Sequence, residues 1–245
     1  MTTTAVKTRF NKNFFEQTAW AENNLICGID EVGRGCLAGP VVVAAVVLFP
    51  NKLSRQLRDS KIMTPEEREK AALWITKNSW YNIGIVHHRL IDLHNIYYAT
   101  LMAMKRAYVQ LMAHIPVAPK TIVVDAMPLK LDNTAYHDTE VLHFPFGESK
   151  SSSIAAASIL AKITRDRLMK EKFETIIPGY EFASHKGYST PPHKRHVRTI
   201  GPSIIHRLNF VATVLAHADE SQQQQSILED NVIELSRSFM ELNHE

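Results

Sequence analysis

The feature that most constrains the fold is a continuous apolar run, residues 40–49, in which Val and Ala predominate without polar alternation. The run has the length of a β-strand and is far too short to cross a bilayer. A strand that is apolar on both faces must be covered on both faces, which is typical of an internal strand in an α/β sheet. The run therefore predicts a sheet that lies between helices.

The rest of the chain alternates short apolar segments with amphipathic ones. We predict further strands at 25–29, 81–86, 121–125 and 141–146, and helices near 14–21, 64–77, 92–113, 151–176, 190–201 and 203–217. The clearest boundary is Thr64-Pro65-Glu66-Glu67, which has the N-cap Thr, the N1 Pro and the N3 Glu of a helix start. Because helices are interleaved with strands, we expect an α/β fold, a mixed sheet flanked by helices, with a helical C-terminal part.

The length of 245 residues and the 45% hydrophobic content fit one sizeable core. We divide the chain into an N-terminal extension (1–24), a main domain (25–217) and an acidic amphipathic tail (218–245). In the tail, Leu228, Val232, Leu235, Phe239 and Leu242 are spaced as a helical stripe. That stripe would dock on the body, which we prefer, or bind a partner protein.

Charge is distributed unevenly along the chain. Residues 158–207 contain ten Lys or Arg against four acids, whereas residues 208–245 contain one Arg against seven acids. The basic region suits a polyanionic partner, although two solvated faces of opposite charge would look the same.

The start of the chain and its cysteines bear on location. No apolar segment of a signal peptide is visible in the first residues. Cys27 and Cys36 match no metal or redox spacing, so we expect reduced thiols in a cytoplasmic protein. No membrane segment is predicted, and a monomer is the default.

Acidic residues follow several predicted strands. Asp30 and Glu31 end one strand, Asp125 ends another, and Glu148 lies just past a third. Converging carboxylates repel one another unless cations neutralise them, and hard oxygen ligands suit Mg²⁺ or Mn²⁺. One such acid alone would be a turn former; together they predict a metal site. Asp30 and Glu31, being adjacent, share it only if the strand ends or bulges there, or if one of them contributes its backbone carbonyl.

The turn Gly33-Arg34-Gly35 follows the first strand. A dinucleotide-binding motif would require a helix after the glycines, but an apolar strand follows, so we reject that function. Two glycines around an arginine would bring the backbone close to a ligand and supply a cation for phosphate. An ordinary hairpin turn explains the segment equally well.

Several segments together resemble the ribonuclease HII family. They are Gly28-Ile-Asp-Glu-Val-Gly-Arg-Gly35, Asp59-Ser60-Lys61, Val123-Val-Asp125, residues 153–166 and His185-Lys-Gly-Tyr188, and they occur in the family's order between about 25 and 210. The resemblance implies a ribonuclease H-like fold with a helical C-terminal appendage. It also implies an Mg²⁺- or Mn²⁺-dependent endonuclease that cuts 5′ to ribonucleotides in RNA–DNA hybrids and in duplex DNA, leaving 3′-hydroxyl and 5′-phosphate ends.

The resemblance also assigns roles to residues. Asp30, Glu31 and Asp125 match the family's metal-binding acids, and Glu148 stands where the family usually has Asp, so its side chain is one methylene longer. The implied substrate contacts are made by the Gly33-Arg34-Gly35 backbone at the 2′-hydroxyl, by Tyr188 at the neighbouring sugar, and by Asp59, Ser60 and Lys61 at phosphate or the duplex.

Cations of the basic region are candidates for the phosphate backbone, which positions a protein without reading sequence. They are Lys162, Arg165, Lys186, Lys194, Arg195, Arg198 and Arg207. His193, His196 and His206 lack a partner set at zinc spacing, so we interpret them as protonatable surface groups near phosphates or as simple helix residues.

Three alternatives stay open. The chain would be a general DNA nuclease or a hybrid-only ribonuclease with the same fold, a weak or inactive nucleic-acid-binding protein, or a partner-binding scaffold that uses the tail. The complete acidic set argues against the inactive binder.

Overall fold

The computed structural model describes residues 12–216 and contains one five-stranded sheet. The strands are β1 (Ile26–Val32), β2 (Val41–Leu48), β3 (Ser79–Val86), β4 (Thr121–Asp125) and β5 (Glu140–Phe144). Their spatial order is β3-β2-β1-β4-β5; β1, β2 and β3 are antiparallel neighbours, whereas β1, β4 and β5 run parallel. The sheet is therefore mixed, as predicted.

Helices cover both faces of this sheet. They are α1 (Phe14–Ala21), α2 (Pro65–Asn78), α3 (His88–Met112), α4 (Ser152–Arg167), the single turn α5 (Phe182–His185), α6 (Pro191–Ile200) and α7 (208–216). Alternate residues of β2 explain the two layers: Val41 and Val43 pack on the α3 side, whereas Val42 and Ala44 pack on the side of α2 and α4. Every residue of β2 is buried, so the interpretation of its apolar run as an internal strand is confirmed.

Local sequence signals set several helix boundaries. Thr64 accepts a hydrogen bond from the Glu67 amide while the Glu67 carboxylate accepts one from the Thr64 amide, so both halves of the predicted capping box are present. Thr190 caps α6 in the same position before a proline. After Arg167, helix α4 is followed without a break by a π-helical turn, Leu168–Phe173, and a last α-helical turn, Glu174–Ile176.

Three elements differ from the prediction. The helix predicted at 203–217 begins at residue 208, since the residues before it form a turn and a bridge between His206 and Ala38. Strand β1 continues through Asp30 and Glu31 to Val32, and all three residues pair with β2. The two carboxylates can stay within the strand because they line a cavity. Helix α3 is interrupted at Asn95, whose φ of 62° is left-handed. The Asn95 side chain accepts hydrogen bonds from the amides of Tyr97 and Tyr98 and so caps the longer part of the helix.

Helix α1 ties part of the N-terminal extension to the main domain. The buried Glu16 carboxylate accepts hydrogen bonds from the Ser151 hydroxyl at 2.5 Å and the Ser153 amide at 2.8 Å, and thereby caps α4. A carboxylate is favourable there because the N-terminus of a helix carries partial positive charge. The predicted tail, 218–245, lies outside the described residues. Within residues 12–216, no helix is long and apolar enough to cross a membrane.

Candidate active site

The predicted strand-end acids lie at one edge of the sheet. Strands β1 and β4 are parallel neighbours with Ile29 opposite Val124, so Asp30 and Asp125 follow at the same level. They open into a cavity of about 520 Å³. Its lining consists of Asp30, Glu31, Val32, Gly33, Arg34, Ser60, Lys61, Arg68, Asp125, Ser158, Lys162 and Tyr188.

Asp30 and Glu31 share this cavity although adjacent strand residues face opposite ways. Asp30 belongs to the α4 side, where Ser158 hydrogen-bonds to its carboxylate, and its Oδ1 accepts the Glu31 amide at 2.7 Å. Glu31 lies one residue before the end of β1, and its Oε1 is 3.4 Å from Nη1 of Arg34. Both residues line the cavity although β1 pairs with β2 in unbroken register through Val32. The expectation that the strand must end or bulge at this pair was therefore wrong.

Burial, with a smaller contribution from mutual repulsion, disfavours the charged forms of these carboxylates. Burial, followed by the charges of Glu31 and Asp125, raises the pKa of Asp30 well above its usual range. Burial also raises the pKa of Glu31, partly offset by Arg34, and its Oε2 is buried without a hydrogen-bond partner. Both groups would be stabilised in their charged form by a cation in the cavity.

Asp125 and Glu148 are linked through the backbone. Oδ1 of Asp125 accepts the Gly147 amide at 2.9 Å, which fixes the 3₁₀ turn Gly147–Ser149 against the end of β4. Glu148 is in this turn, and its Oε2 is buried without a partner. It lies beside Asp125 rather than in the lining of the cavity itself.

The donor set fits a divalent cation. Carboxylate oxygens are the ligands that Mg²⁺ and Mn²⁺ prefer, and Glu31 and Glu148 each keep a buried oxygen that nothing else binds. Between residues 12 and 216, no three acidic, His or Cys side chains already converge to enclose an ion. The carboxylates therefore line the site without being drawn together.

The glycine turn forms one wall of the cavity, but two predicted phosphate contacts lie behind it. Arg165 and Arg207 are both fully buried. Arg165 donates to the carbonyls of Pro40, Ala38 and Lys186, and Arg207 donates to those of Gly39, Arg34 and Gly33. The expectation that these two arginines track phosphate was wrong, because their guanidinium groups are enclosed and already bound.

The Asp59-Ser60-Lys61 segment is only partly in the site. Lys61 lines the cavity, and the buried Ser60 hydroxyl lies 2.9 Å from that of Ser158. Asp59 is half-buried outside the cavity lining and accepts a hydrogen bond from the Lys61 amide. Sequence reasoning missed Arg68, which also lines the cavity and donates to the Ser60 carbonyl at 3.0 Å. Its position in the first turn of α2, directly after this loop, could have indicated that Arg68 lies near the cavity.

Tyr188 and Lys162 form another wall of the cavity. Lys162 is paired with Asp166 at 2.9 Å and lies 5.1 Å above the Tyr188 ring. Lys186 lines a neighbouring cavity of about 230 Å³ and not the acidic one, because its ammonium folds back onto the Ala183 and Ser184 carbonyls. Tyr188 and Lys162 therefore adjoin the carboxylates, and Lys186 does not.

Beneath Tyr188 is a histidine cluster, which we define as His185, His193 and His206. Nδ1 of His193 is 2.8 Å from the Tyr188 carbonyl, and its Nε2 is 3.0 Å from Nε2 of His206. Nδ1 of His206 accepts the Ser203 amide, so its Nε2 carries the proton and donates to His193. His193 and His206 are buried and mutually bonded, so interpreting them as surface groups near phosphate was wrong. His196 is half-buried and bound to the Gly179 carbonyl.

The cluster predicts a pH dependence of stability. Burial lowers the pKa of His193 and of His206 to about 4, from 6.5 in the unfolded chain. The neutral forms therefore contribute stability that is complete above pH 6.5 and is lost as the pH falls towards 4. We expect the free energy of unfolding to fall in this window by up to about 1.4 kcal/mol per pH unit for each histidine.

Denaturant titrations between pH 7 and pH 4 measure this slope. The raised pKa values of Asp30 and Glu31 make the free energy of unfolding increase as the pH falls, which opposes the effect of the histidines. The parent is therefore compared with His206→Asn, which keeps both carboxylates. The variant should show a shallower slope than the parent. Equal slopes would contradict the assignment of the acid sensitivity to the cluster.

A mixed sheet with clustered carboxylates at the ends of β1 and β4, faced by cations and a glycine turn, defines a metal-dependent nuclease with a ribonuclease H-like fold. The sequence model of the family described as ribonuclease HII matches residues 27–213. Ribonuclease HII of Koribacter versatilis is 44% identical over 198 residues, which cover 80% of this chain and 73% of that protein. Ribonuclease HII of Thermus thermophilus is 39% identical over 202 residues, which cover 82% and 93%.

The chain therefore belongs to the ribonuclease HII family, and it is a metal-dependent hydrolase that acts on RNA–DNA substrates. Solved structures agree on the fold. Ribonuclease H2 from Pyrococcus horikoshii has a TM-score of 0.60 at 25% identity, with 78% of this chain and 96% of that chain covered. Bst-RNase HIII in complex with Mn²⁺ has a TM-score of 0.61 at 22% identity, with 80% and 71% covered.

Proposed function

We propose that this protein hydrolyses the phosphodiester bond on the 5′ side of ribonucleotides, both in RNA–DNA hybrids and in duplex DNA with embedded ribonucleotides. The products carry 3′-hydroxyl and 5′-phosphate ends. The observation that carries the proposal is that the glycine turn and the carboxylates line the same cavity. A backbone that can approach a 2′-hydroxyl therefore lies beside groups able to bind the catalytic metal.

The four acids Asp30, Glu31, Asp125 and Glu148 are the proposed metal ligands. Two divalent ions, Mg²⁺ or Mn²⁺, would activate water for attack on phosphorus and stabilise the leaving oxygen. Glu148 follows Gly147, whose amide donates to Asp125, and its side chain, longer than the usual Asp, would have to reach towards the cavity. The segment order and the buried free oxygens of Glu31 and Glu148 support this set.

The remaining residues would bind and orient the duplex. Gly33, Arg34 and Gly35 would receive the 2′-hydroxyl through the backbone, because RNA differs from DNA only there and at one base methyl group. Tyr188 would contact the neighbouring sugar with its half-buried ring. Lys61, Lys162 and Arg68, which lie around the cavity, would hold phosphates beside the cleaved bond. Asp59 orders the Lys61 loop, and Lys186 would reach phosphate only outside the acidic cavity.

The direct test is cleavage of a labelled DNA duplex that contains one ribonucleotide, beside all-DNA and RNA–DNA hybrid duplexes. Each is incubated with Mg²⁺, Mn²⁺ or chelator, for the parent and for Asp125→Asn. Metal-dependent incision 5′ to the ribonucleotide, absent in the variant, supports the proposal. Cutting of the all-DNA duplex would make the protein a general nuclease, and no cutting with either metal would make it a binding protein.

Gly35 offers a prediction specific to ribonucleotide recognition. A Cβ added at Gly35 would meet no atom within 4 Å, so Gly35→Ala should fold with nearly unchanged stability. The methyl group would stand where the sugar has to approach, and we expect cleavage at a single ribonucleotide to fall about tenfold or more. Thermal melting and kcat/KM measure the two effects. Unchanged kcat/KM would remove Gly35 from the substrate contact.

The setting of the enzyme is also a proposal. Cys27 and Cys36 are free and buried, which agrees with reduced thiols in the cytoplasm. We propose that the protein acts there as a monomer, and that the tail is its one candidate contact for a partner protein.

A further inference from the structure

Arg207 is a fully buried cation without a carboxylate partner among the described residues. Its Nε donates to the Gly39 carbonyl at 3.0 Å, Nη1 to the Arg34 carbonyl at 2.8 Å and Nη2 to the Gly33 carbonyl at 2.6 Å. The ion pairs formed within residues 12–216 do not include it. Burying an unpaired charge is strongly unfavourable. That cost is offset here by three directed bonds, two of which hold the glycine turn.

These two bonds decide where the turn's amides point. The C=O and N–H of a trans peptide unit point in opposite directions. Because the carbonyls of Gly33 and Arg34 face Arg207, the amides of Arg34 and Gly35 face away from it. Neither amide donates to any acceptor in the part of the chain that the structure describes. Two neighbouring donors are thus left free at a turn whose residues Gly33 and Arg34 line the acidic cavity.

The space in front of these donors is open. A Cβ at Gly35 would have no neighbour within 4 Å, in contrast to Gly33, where a Cβ would lie 2.3 Å from Nε of Arg165. The turn is therefore packed from behind and accessible from the front. A cation at the carbonyl end of a peptide unit also polarises that unit, which strengthens its N–H as a donor.

We propose that Arg207 is a positioning residue for ribonucleotide recognition: it aims the Arg34 and Gly35 amides at the 2′-hydroxyl oxygen of the substrate. The inference rests on the proposed function and adds a group that never touches the substrate. The donors are oriented before binding, so no reorganisation is required when the sugar enters. Lysine cannot replace the guanidinium, because one ammonium cannot span three carbonyls in a fixed plane.

Arg165 provides the matched comparison. It is also fully buried and also binds three carbonyls, but those belong to Pro40, Ala38 and Lys186. Arg165→Lys and Arg207→Lys should therefore cost similar stability. Only Arg207→Lys releases the carbonyls of Gly33 and Arg34, so only that variant should lose preference for a ribonucleotide.

The experiment measures duplex binding by fluorescence anisotropy in the Asp125→Asn background with Mg²⁺, where hydrolysis is blocked. The probes are a DNA duplex with one ribonucleotide and the same duplex without it. We expect Arg207→Lys to reduce the ratio of the two affinities about tenfold, and Arg165→Lys to change it less than threefold. A ratio that stays within twofold of the background in Arg207→Lys overturns the inference.

Two further results keep the inference separate from the proposed function. If the parent does not incise the ribonucleotide-containing duplex and the background shows no preference for it, the proposed function itself fails. If Arg207→Lys shows no cooperative melting, amide NMR of the Asp125→Asn protein replaces it. The Arg34 and Gly35 amide signals should then shift with the ribonucleotide duplex and not with the all-DNA duplex, and equal shifts overturn the inference.

Discussion

We expect Asp30→Asn to abolish hydrolysis while making the metal-free protein more stable than the parent. Asp30 is 7% exposed, and burial together with the charges of Glu31 and Asp125 raises its pKa. The charged form therefore destabilises the metal-free fold near neutral pH, and an amide removes that charge. We expect a gain of about 1 kcal/mol in the free energy of unfolding. Loss of one of the proposed metal ligands should lower kcat about a thousandfold or more.

Denaturant unfolding at pH 8 with chelator and single-turnover cleavage measure these two effects. A matched control is Asp138→Asn, whose side chain is 92% exposed and remote from the cavity. It should change neither quantity. Addition of Mn²⁺ or Mg²⁺ should raise the melting temperatures of the parent and of Asp138→Asn. The melting temperature of Asp30→Asn should rise much less. A fully active Asp30→Asn would remove Asp30 from the metal site.

The second large effect concerns Gly28 in β1, where the sheet touches α4. A Cβ at Gly28 would lie 2.1 Å from the Ser153 carbonyl carbon and 2.3 Å from the Ile154 amide nitrogen. These are backbone atoms at the start of a helix and cannot rotate away. We expect Gly28→Ala to cost more than about 3 kcal/mol of stability, since strand and helix must separate. The same separation would move Asp30 away from Ser158 and reduce activity.

Equilibrium denaturation of Gly28→Ala and Gly35→Ala compares the loss of stability at two glycines that are close together in the chain. Gly35→Ala adds the same methyl group in open space, so its midpoint should stay near that of the parent. If Gly28→Ala were as stable as Gly35→Ala, the close approach of β1 and α4 would not exist in solution.

The sequence predicted elements whose signals are local. The uninterrupted apolar run predicted an internal strand, which the structure confirms. Thr64 and Glu67 predicted the start of α2, and the structure contains their capping box. The strand-end acids were also found from local context, because a charge directly after a buried strand has few structural explanations. Arg68 was missed because its contact with the cavity depends on how α2 folds against the Ser60 loop.

The wrong expectations concern polar residues whose environment is made by distant segments. Nothing near Arg207 in the chain indicates that its guanidinium meets carbonyls more than 165 positions away, at Gly39, Arg34 and Gly33. His193 and His206 likewise lie in polar stretches that suggest solvent, yet the fold pairs them beneath Tyr188. The partners are backbone groups for Arg207, and for the two histidines they are backbone groups and the other imidazole, none of which the local sequence indicates.

Sequence by itself thus determined the α/β class, the order of its elements and the acids Asp30, Glu31 and Asp125 that line the candidate site. These follow from hydrophobic periodicity and from the high cost of burying charge, which act on neighbouring residues. Tertiary structure alone decided which cations face the cavity and which stand behind it. Lys162 and Arg165 are three positions apart on α4, but one lines the cavity and the other is enclosed. What a side chain on a helix faces depends on which elements pack around that helix, and this is decided only in the assembled fold.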